Sequence, residues 1–148
     1  MSKVTADNDA WNVANGTNLD KPLILRYRPN LQDRLGDPDY GRRLTIIWSF
    51  ESDDSSGMPN DEQTTELGSF EDTVVDALDD SSLAILAFIV TCSGQREWHF
   101  YVSDIEAVGT AINEALAGQP VLPIELTVNE DPEWAEFEDV LRGCGELN

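Results

Sequence analysis

A chain of 148 residues has the length of one ordinary domain, enough to bury roughly two thirds of its unfolded surface. Apolar side chains make up 41% of it, and four Trp, five Phe and three Tyr supply core anchors, which argues against disorder of the whole chain. The formal net charge is −20, from 29 acidic against nine basic residues, a field that repels nucleic acid and anionic membrane, since both are gripped by Lys and Arg.

Residues 10–14 and 22–28 predict a first hairpin, with Asn15-Gly16 as its turn. Pro29 ends it, and residues 30–40 form a loop broken by Gly36, Asp37 and Pro38. Residues 42–50 alternate as a strand, with Leu44, Ile46, Trp48 and Phe50 on one side. A helix over 61–78 follows a Ser/Asp/Gly loop. Asn60 caps it, Gln63 sits at the reciprocal position, and Leu67, Phe70, Val74 and Leu78 make its buried stripe. Gly68 weakens its middle. Residues 83–91 are a strongly apolar strand, Ser93-Gly94 a tight turn, and 96–102 the return strand. Ser103 opens a second helix with Glu106 completing the capping box, Ile105, Val108, Ile112 and Leu116 facing inward, and Gly118 as its stop. A short strand spans 124–128. Asp131 caps a third helix with Pro132 at its first position and Trp134, Phe137 and Leu141 on its apolar face.

From residue 42 the order is strand, helix, strand, strand, helix, strand. That predicts an α+β, ferredoxin-like split βαβ (βαββαβ) sheet, with strands 42–50 and 96–102 central and an N-terminal hairpin and C-terminal helix added. Residues 1–148 form a single domain, with 1–9 and 144–148 frayed. Both helices of such a fold pack on one face of the sheet, yet residues 83–90 are apolar at every position. The second face is therefore expected to be covered by the third helix, by the first hairpin, or by a second copy in a homodimer.

Several segments resemble one bacterial family, the domain of unknown function numbered 695. They are Leu25-Arg26-Tyr27-Arg28-Pro29, Leu44-Thr45-Ile46-Ile47-Trp48, Gly57-Met58-Pro59, Phe70-Glu71-Asp72, Arg96-Glu97-Trp98-His99-Phe100-Tyr101, Pro123-Ile124-Glu125 and Asp131-Pro132-Glu133-Trp134, spread over residues 11–137. The family has no established activity, so the resemblance implies no catalytic residues. Members are similar to domains joined to a regulator-of-ribonuclease-E (type B) domain, an acidic ferredoxin-like inhibitor. By analogy this implies regulation through protein contact.

No stretch approaches the roughly 20 apolar residues that span a bilayer, and the first residues lack a signal-peptide pattern, so a cytoplasmic protein is expected. Cys92 and Cys144 suit neither a disulfide framework nor a zinc site and are expected as free thiols. His99 lies mid-strand between Trp98 and Phe100, where a hydrogen-bonded structural histidine is the expectation over a catalytic base. The pairs Asp53-Asp54, Asp61-Glu62, Glu71-Asp72 and Asp79-Asp80 arise by abundance. Weak Ca²⁺ or Mg²⁺ binding at the first or last of them is the competing reading. There is no P-loop and no dinucleotide fingerprint. No catalytic residue, metal or cofactor is expected, and the chain is read as non-enzymatic.

The charge is uneven. Residues 1–43 carry a net of +1, whereas residues 44–148 hold only Arg96 and Arg142 against 23 acidic side chains, a net of −21. The first functional expectation is a binding module that regulates or inhibits a basic partner such as a nuclease through Glu62, Glu66, Asp72, Asp76 and Asp80 on the first helix. The second is a small-ligand protein or enzyme with an anion pocket near Arg26, Arg28, Arg96 and Tyr101, against the default that such arginines make internal ion pairs. Trp48, Trp98 and Tyr101 are expected in the core, and Trp11 and Trp134 as partly exposed anchors. The third is that the acidity is only a salt-adapted surface.

Overall fold

The computed structural model describes residues 11–18, 21–53, 55–80, 83–120 and 122–146. These form a mixed α and β domain around one six-stranded sheet. The elements are β1 (Asn12–Asn18), β2 (Lys21–Tyr27), two 3-10 turns (Pro29–Arg34 and Pro38–Tyr40), β3 (Arg42–Ser49), α1 (Asp61–Asp80), β4 (Ala84–Cys92), β5 (Gln95–Val102), α2 (Ile105–Ala115), β6 (Ile124–Glu130) and α3 (Ala135–Gly143). The strand order is β1-β2-β4-β5-β3-β6 and every neighbouring pair is antiparallel. Strands β3 and β5 lie side by side, each paired on both edges, as expected of 42–50 and 96–102. The first hairpin extends the same sheet, with β2 alongside β4.

Helices α1 and α2 cover one face. Leu67, Phe70, Val74 and Leu78 of α1 and Val108 and Ile112 of α2 pack on Leu44, Ile46, Trp48, Leu86, Ile89, Trp98, Phe100 and Val102. The Phe70 ring lies 5.1 Å from both Trp48 and Trp98, edge-on to the first and tilted to the second. The expected capping box closes the helix start. Asn60 Oδ1 accepts from the Gln63 amide at 2.8 Å, and Gln63 Oε1 accepts from the Asn60 amide at 2.9 Å. Helix α1 runs through Gly68 without a break.

Helix α3 covers the other face, as the first of the three expectations had it. Trp134, Phe137 and Leu141, with Leu31 of the first 3-10 turn, pack on Tyr27, Ile85, Ala87, Phe88 and Tyr101. A bulge between Leu86 and Phe88 turns Ala87 and Phe88 onto this face together. That is why β4 reads as an unbroken apolar run: its side chains are needed on both sides.

Three local expectations are corrected. Asn15 and Gly16 are strand residues paired with Ile24 and Leu23, not the hairpin turn. Seven cross-strand pairs end at Asn18↔Lys21, and this register outweighs one favoured turn dipeptide. Helix α2 is capped by Asp104, one residue later, whose carboxylate accepts from the Glu106 and Ala107 amides, while the Ser103 hydroxyl donates to the Leu83 carbonyl at 3.2 Å. Pro132 precedes α3 by a turn, and Trp134, at φ 60°, is the residue that enters the helix. The Ser93-Gly94 turn is as expected, both residues having positive φ. Residues 1–10 and 147–148 lie outside the described residues, while Glu146 is tied to Tyr27 by a 2.8 Å hydrogen bond.

Candidate functional site

The four residues expected to form an anion patch are divided by the sheet. On the α1 face, Glu71 is the hub of a polar cluster. Its carboxylate accepts from Arg26 Nη2 at 2.8 Å and from Trp98 Nε1 at 2.9 Å. Arg96 sits beside this pair and donates from Nε to the Thr91 hydroxyl at 2.8 Å. Burial, followed by the positive charge of Arg26, lowers the pKa of Arg96, and Glu71 partly restores it. Arg26 and Arg28 both lie over the Trp11 ring, with centroid distances of 5.9 and 5.6 Å. Arg28 itself is buried and donates to the Leu86 carbonyl at 2.8 Å. Trp11 is half-buried against the core of this face, as expected of a partly exposed anchor.

Tyr101 stands on the opposite face, because β5 alternates and residues 96 and 101 differ in parity. Its ring stacks on Trp134 at 4.0 Å, and its hydroxyl donates to Asp131 Oδ2 at 2.7 Å. Asp131 is only 7% exposed and accepts four hydrogen bonds: from Tyr101, from Arg43 Nη1 at 3.0 Å, and from the Ala135 and Glu136 amides at 2.8 and 3.3 Å. Burial works against its charge, but these donors outweigh it and hold the carboxyl below its usual range. Burial and the facing Asp131 carboxylate push the Tyr101 phenol strongly upward. Trp134 is fully buried and donates from Nε1 to the Tyr40 carbonyl at 2.9 Å, which corrects its expectation as an exposed anchor. The Asp131-Pro132-Glu133-Trp134 segment is thus a docking device for α3. Its charged partner is Arg43, on the neighbouring strand β3.

His99 is a buried, stacked histidine, as expected. Its ring lies 4.2 Å from and nearly parallel to Phe88, Nδ1 meets Thr45 Oγ1 at 3.3 Å and Nε2 meets Glu97 Oε1 at 3.0 Å. Hydroxyl, imidazole and carboxylate in series resemble a nucleophile relay, but Thr45 is buried mid-strand between two paired strands. A hollow of about 300 Å³ lies elsewhere. Lys21, Phe50, Ser52, Gly57, Ser93 and Gly94 line it, and none of the expected patch residues does. Here Gly57 presses on the β4–β5 turn so closely that a Cβ would sit 2.7 Å from Ser93 Cα.

On the outer side of α1, Glu62, Glu66, Asp72 and Asp76 are exposed, and none has an ion-pair or side-chain hydrogen-bond partner among the described residues. At 3.6 residues per turn they fall within about a third of the helix circumference. The Asp80 side chain, like that of Asp79, lies outside the described residues. Five arginines are meanwhile engaged internally: Arg26 with Glu71, Arg34 with Asp37, Arg42 with Glu130, Arg43 with Asp131 and Arg142 with Glu138. Among the described residues, no group of three or more His, Cys, Asp or Glu is placed to hold a metal, and no helix is long and apolar enough to cross a membrane.

No curated protein matches the chain. A family model, described as a family of unknown function (DUF695), matches residues 9–142, a span that includes the Glu71 cluster, the Gly57 contact and the Asp131 docking device. The chain belongs to that family.

Proposed function

We propose that this chain is a non-enzymatic, cytoplasmic binding module that engages a basic protein partner through the outer face of α1. The observation that carries this reading is the row Glu62, Glu66, Asp72 and Asp76, exposed and without a cationic partner among the described residues, while five arginines pair with other carboxylates. Like charges four apart on a helix cost about 0.2–0.5 kcal/mol per pair. The Glu62/Glu66 and Asp72/Asp76 spacings therefore weaken α1 unless a partner neutralises them. The two free cysteines agree with a reducing compartment. The scaffold that goes with this reading is the ferredoxin-like split βαβ, supported by the order β4-β5-β3-β6 and the two helices on one face. The test is binding to basic proteins, nucleases among them, from about 0.05 to 0.5 M NaCl, over which the Debye length shrinks severalfold. Affinity falls steeply with salt and falls again in the E62Q/E66Q/D72N/D76N variant. Binding that ignores both overturns the reading.

Arg96 favours a second reading. Among the described residues its guanidinium makes no ion pair with a carboxylate, and it lies beside Arg26, so a small anionic ligand would complete the cluster. Calorimetric titration with phosphate and short dicarboxylates, repeated on Arg96→Gln, checks it. Heats unchanged in the variant would remove Arg96 from any such site.

A further inference from the structure

We propose that the free edge of β6 is a strand-addition site for an extended, basic polypeptide segment with apolar residues at alternate positions. Strand β6 ends the sheet, paired with β3 on one side only. A strand in that place presents every second backbone N–H and C=O outward, and natural proteins guard such edges with Lys, Pro, bulges or a covering element. Of such guards, Ile-Glu-Leu-Thr-Val-Asn-Glu has only the charges of Glu125 and Glu130, which would attract a basic strand: its register on β3 runs without a shift, it contains neither Lys nor Pro, and no element among the described residues pairs with its outer edge. Every residue from Glu125 to Glu130 is exposed. Seven residues offer an edge of about 23 Å at strand rise, long enough to seat a peptide strand.

The side chains match this use. Leu126 and Val128 are 43% and 44% exposed, two of the three large apolar residues that stand so open among the described residues. They pair with Ile46 and Leu44 and therefore point to the α1/α2 side, yet neither joins that core. An added strand would lay its own apolar residues beside them, as in peptide recognition by sheet extension.

Charge identifies the occupant. Residues 97–141, with β6 in their midst, contain eleven Asp and Glu and no Lys or Arg. The arginines nearest β6, Arg42 and Arg43, are bound to Glu130 and Asp131. Two copies joined edge to edge would set two such stretches, each in a chain of net charge −20, against each other. A basic strand meets the opposite field. This inference rests on the proposed preference for basic partners and names where such a partner's strand would dock.

The experiment uses the full chain and fluorescent peptides that alternate Val with Lys or Ser with Lys. The Val-Lys peptide binds at least about tenfold more tightly than the Ser-Lys peptide, and it slows amide hydrogen exchange in β6. The neutral variant L126T/V128T keeps strand propensity and net charge, and it abolishes the difference. Salt-sensitive binding of both peptides that leaves β6 exchange and the variant unaffected overturns the site but spares the basic-partner reading. Binding of neither basic peptides nor basic proteins overturns both. Concentration-dependent dimerisation lost in L126T/V128T would make a second copy the occupant and overturn the proposal.

Discussion

Replacing Asp131 by Ala removes one carboxylate and strands four donors at once. Arg43 loses its ion pair while its side chain is 13% exposed, and its Nε has no partner among the described residues. Leaving a buried charge unpaired costs about 3–5 kcal/mol, and losing a helix cap about 1 kcal/mol. The terms overlap because the same two oxygens serve both, so a loss of about 4 kcal/mol is expected, a large share of a domain's total of about 5–15 kcal/mol. With a urea m-value of about 2 kcal/mol/M, the midpoint falls by about 2 M. Equilibrium urea unfolding followed by tryptophan fluorescence reads this directly, since Trp134 sits on the affected helix. Tyr101→Phe and the double variant complete a cycle, in which the hydroxyl and carboxylate, 2.7 Å apart, should couple by more than about 0.5 kcal/mol. A midpoint shift under about 0.5 M for Asp131→Ala, or strict additivity in the cycle, would show that the cluster does not hold α3 to the sheet.

Other outcomes follow from the same physics. Because the Asp131 carboxyl is held below its ordinary value near 3.9, its stabilising contribution is present above about pH 4 and is lost as pH falls through the lower folded value; the deficit of Asp131→Ala should therefore shrink in acid. Burial pushes the Tyr27 phenol up to about 12, so its contribution, intact below about pH 10, is lost as pH rises toward that value, and Tyr27→Phe should flatten the alkaline limb of a stability profile. Gly57→Ala, at φ +78° and with Ser93 backbone 2.7 Å from the new Cβ, should cost at least about 2 kcal/mol in thermal or urea unfolding. Gly68→Ala, with open space around its Cβ inside α1, should gain about 0.5–1 kcal/mol. Raising NaCl to about 0.5 M should stabilise the chain modestly by screening the α1 carboxylates; a stability that climbs steeply only in molar salt would instead assign the acidity to a salt-adapted surface.

The elements whose side chains repeat strongly were legible in the sequence. The stripe Leu67, Phe70, Val74 and Leu78 is the buried face of α1, and the Asn60/Gln63 box caps it. The apolar density of β4 foretold a sheet covered twice, and α3 is the element that lies on its second face. Register escaped because Asn15-Gly16 is a strong local turn signal, and it lost to seven non-local pairs. The proposed grouping of Tyr101 with the arginines ignored strand parity. Counting from Arg96 would have placed them on opposite faces. Glu71 looked like one of many surplus acids, since nothing in a linear pattern says that Trp98, Arg26 and Arg96 converge on it across three elements. The Asp131 cap was visible, but not the left-handed Trp134 that lets one carboxylate reach a helix four residues away.

Helix α3 comes after every strand in chain order. During synthesis, then, the strands that carry Ile85, Ala87, Phe88 and Tyr101 are made before the helix that covers them. Until residues 135–143 follow, the apolar side chains of β4 and β5 on this side lack their main cover. Its excess of carboxylates gives the emerging chain mutual repulsion during that interval, so acidity would serve solubility in synthesis even before any partner is met.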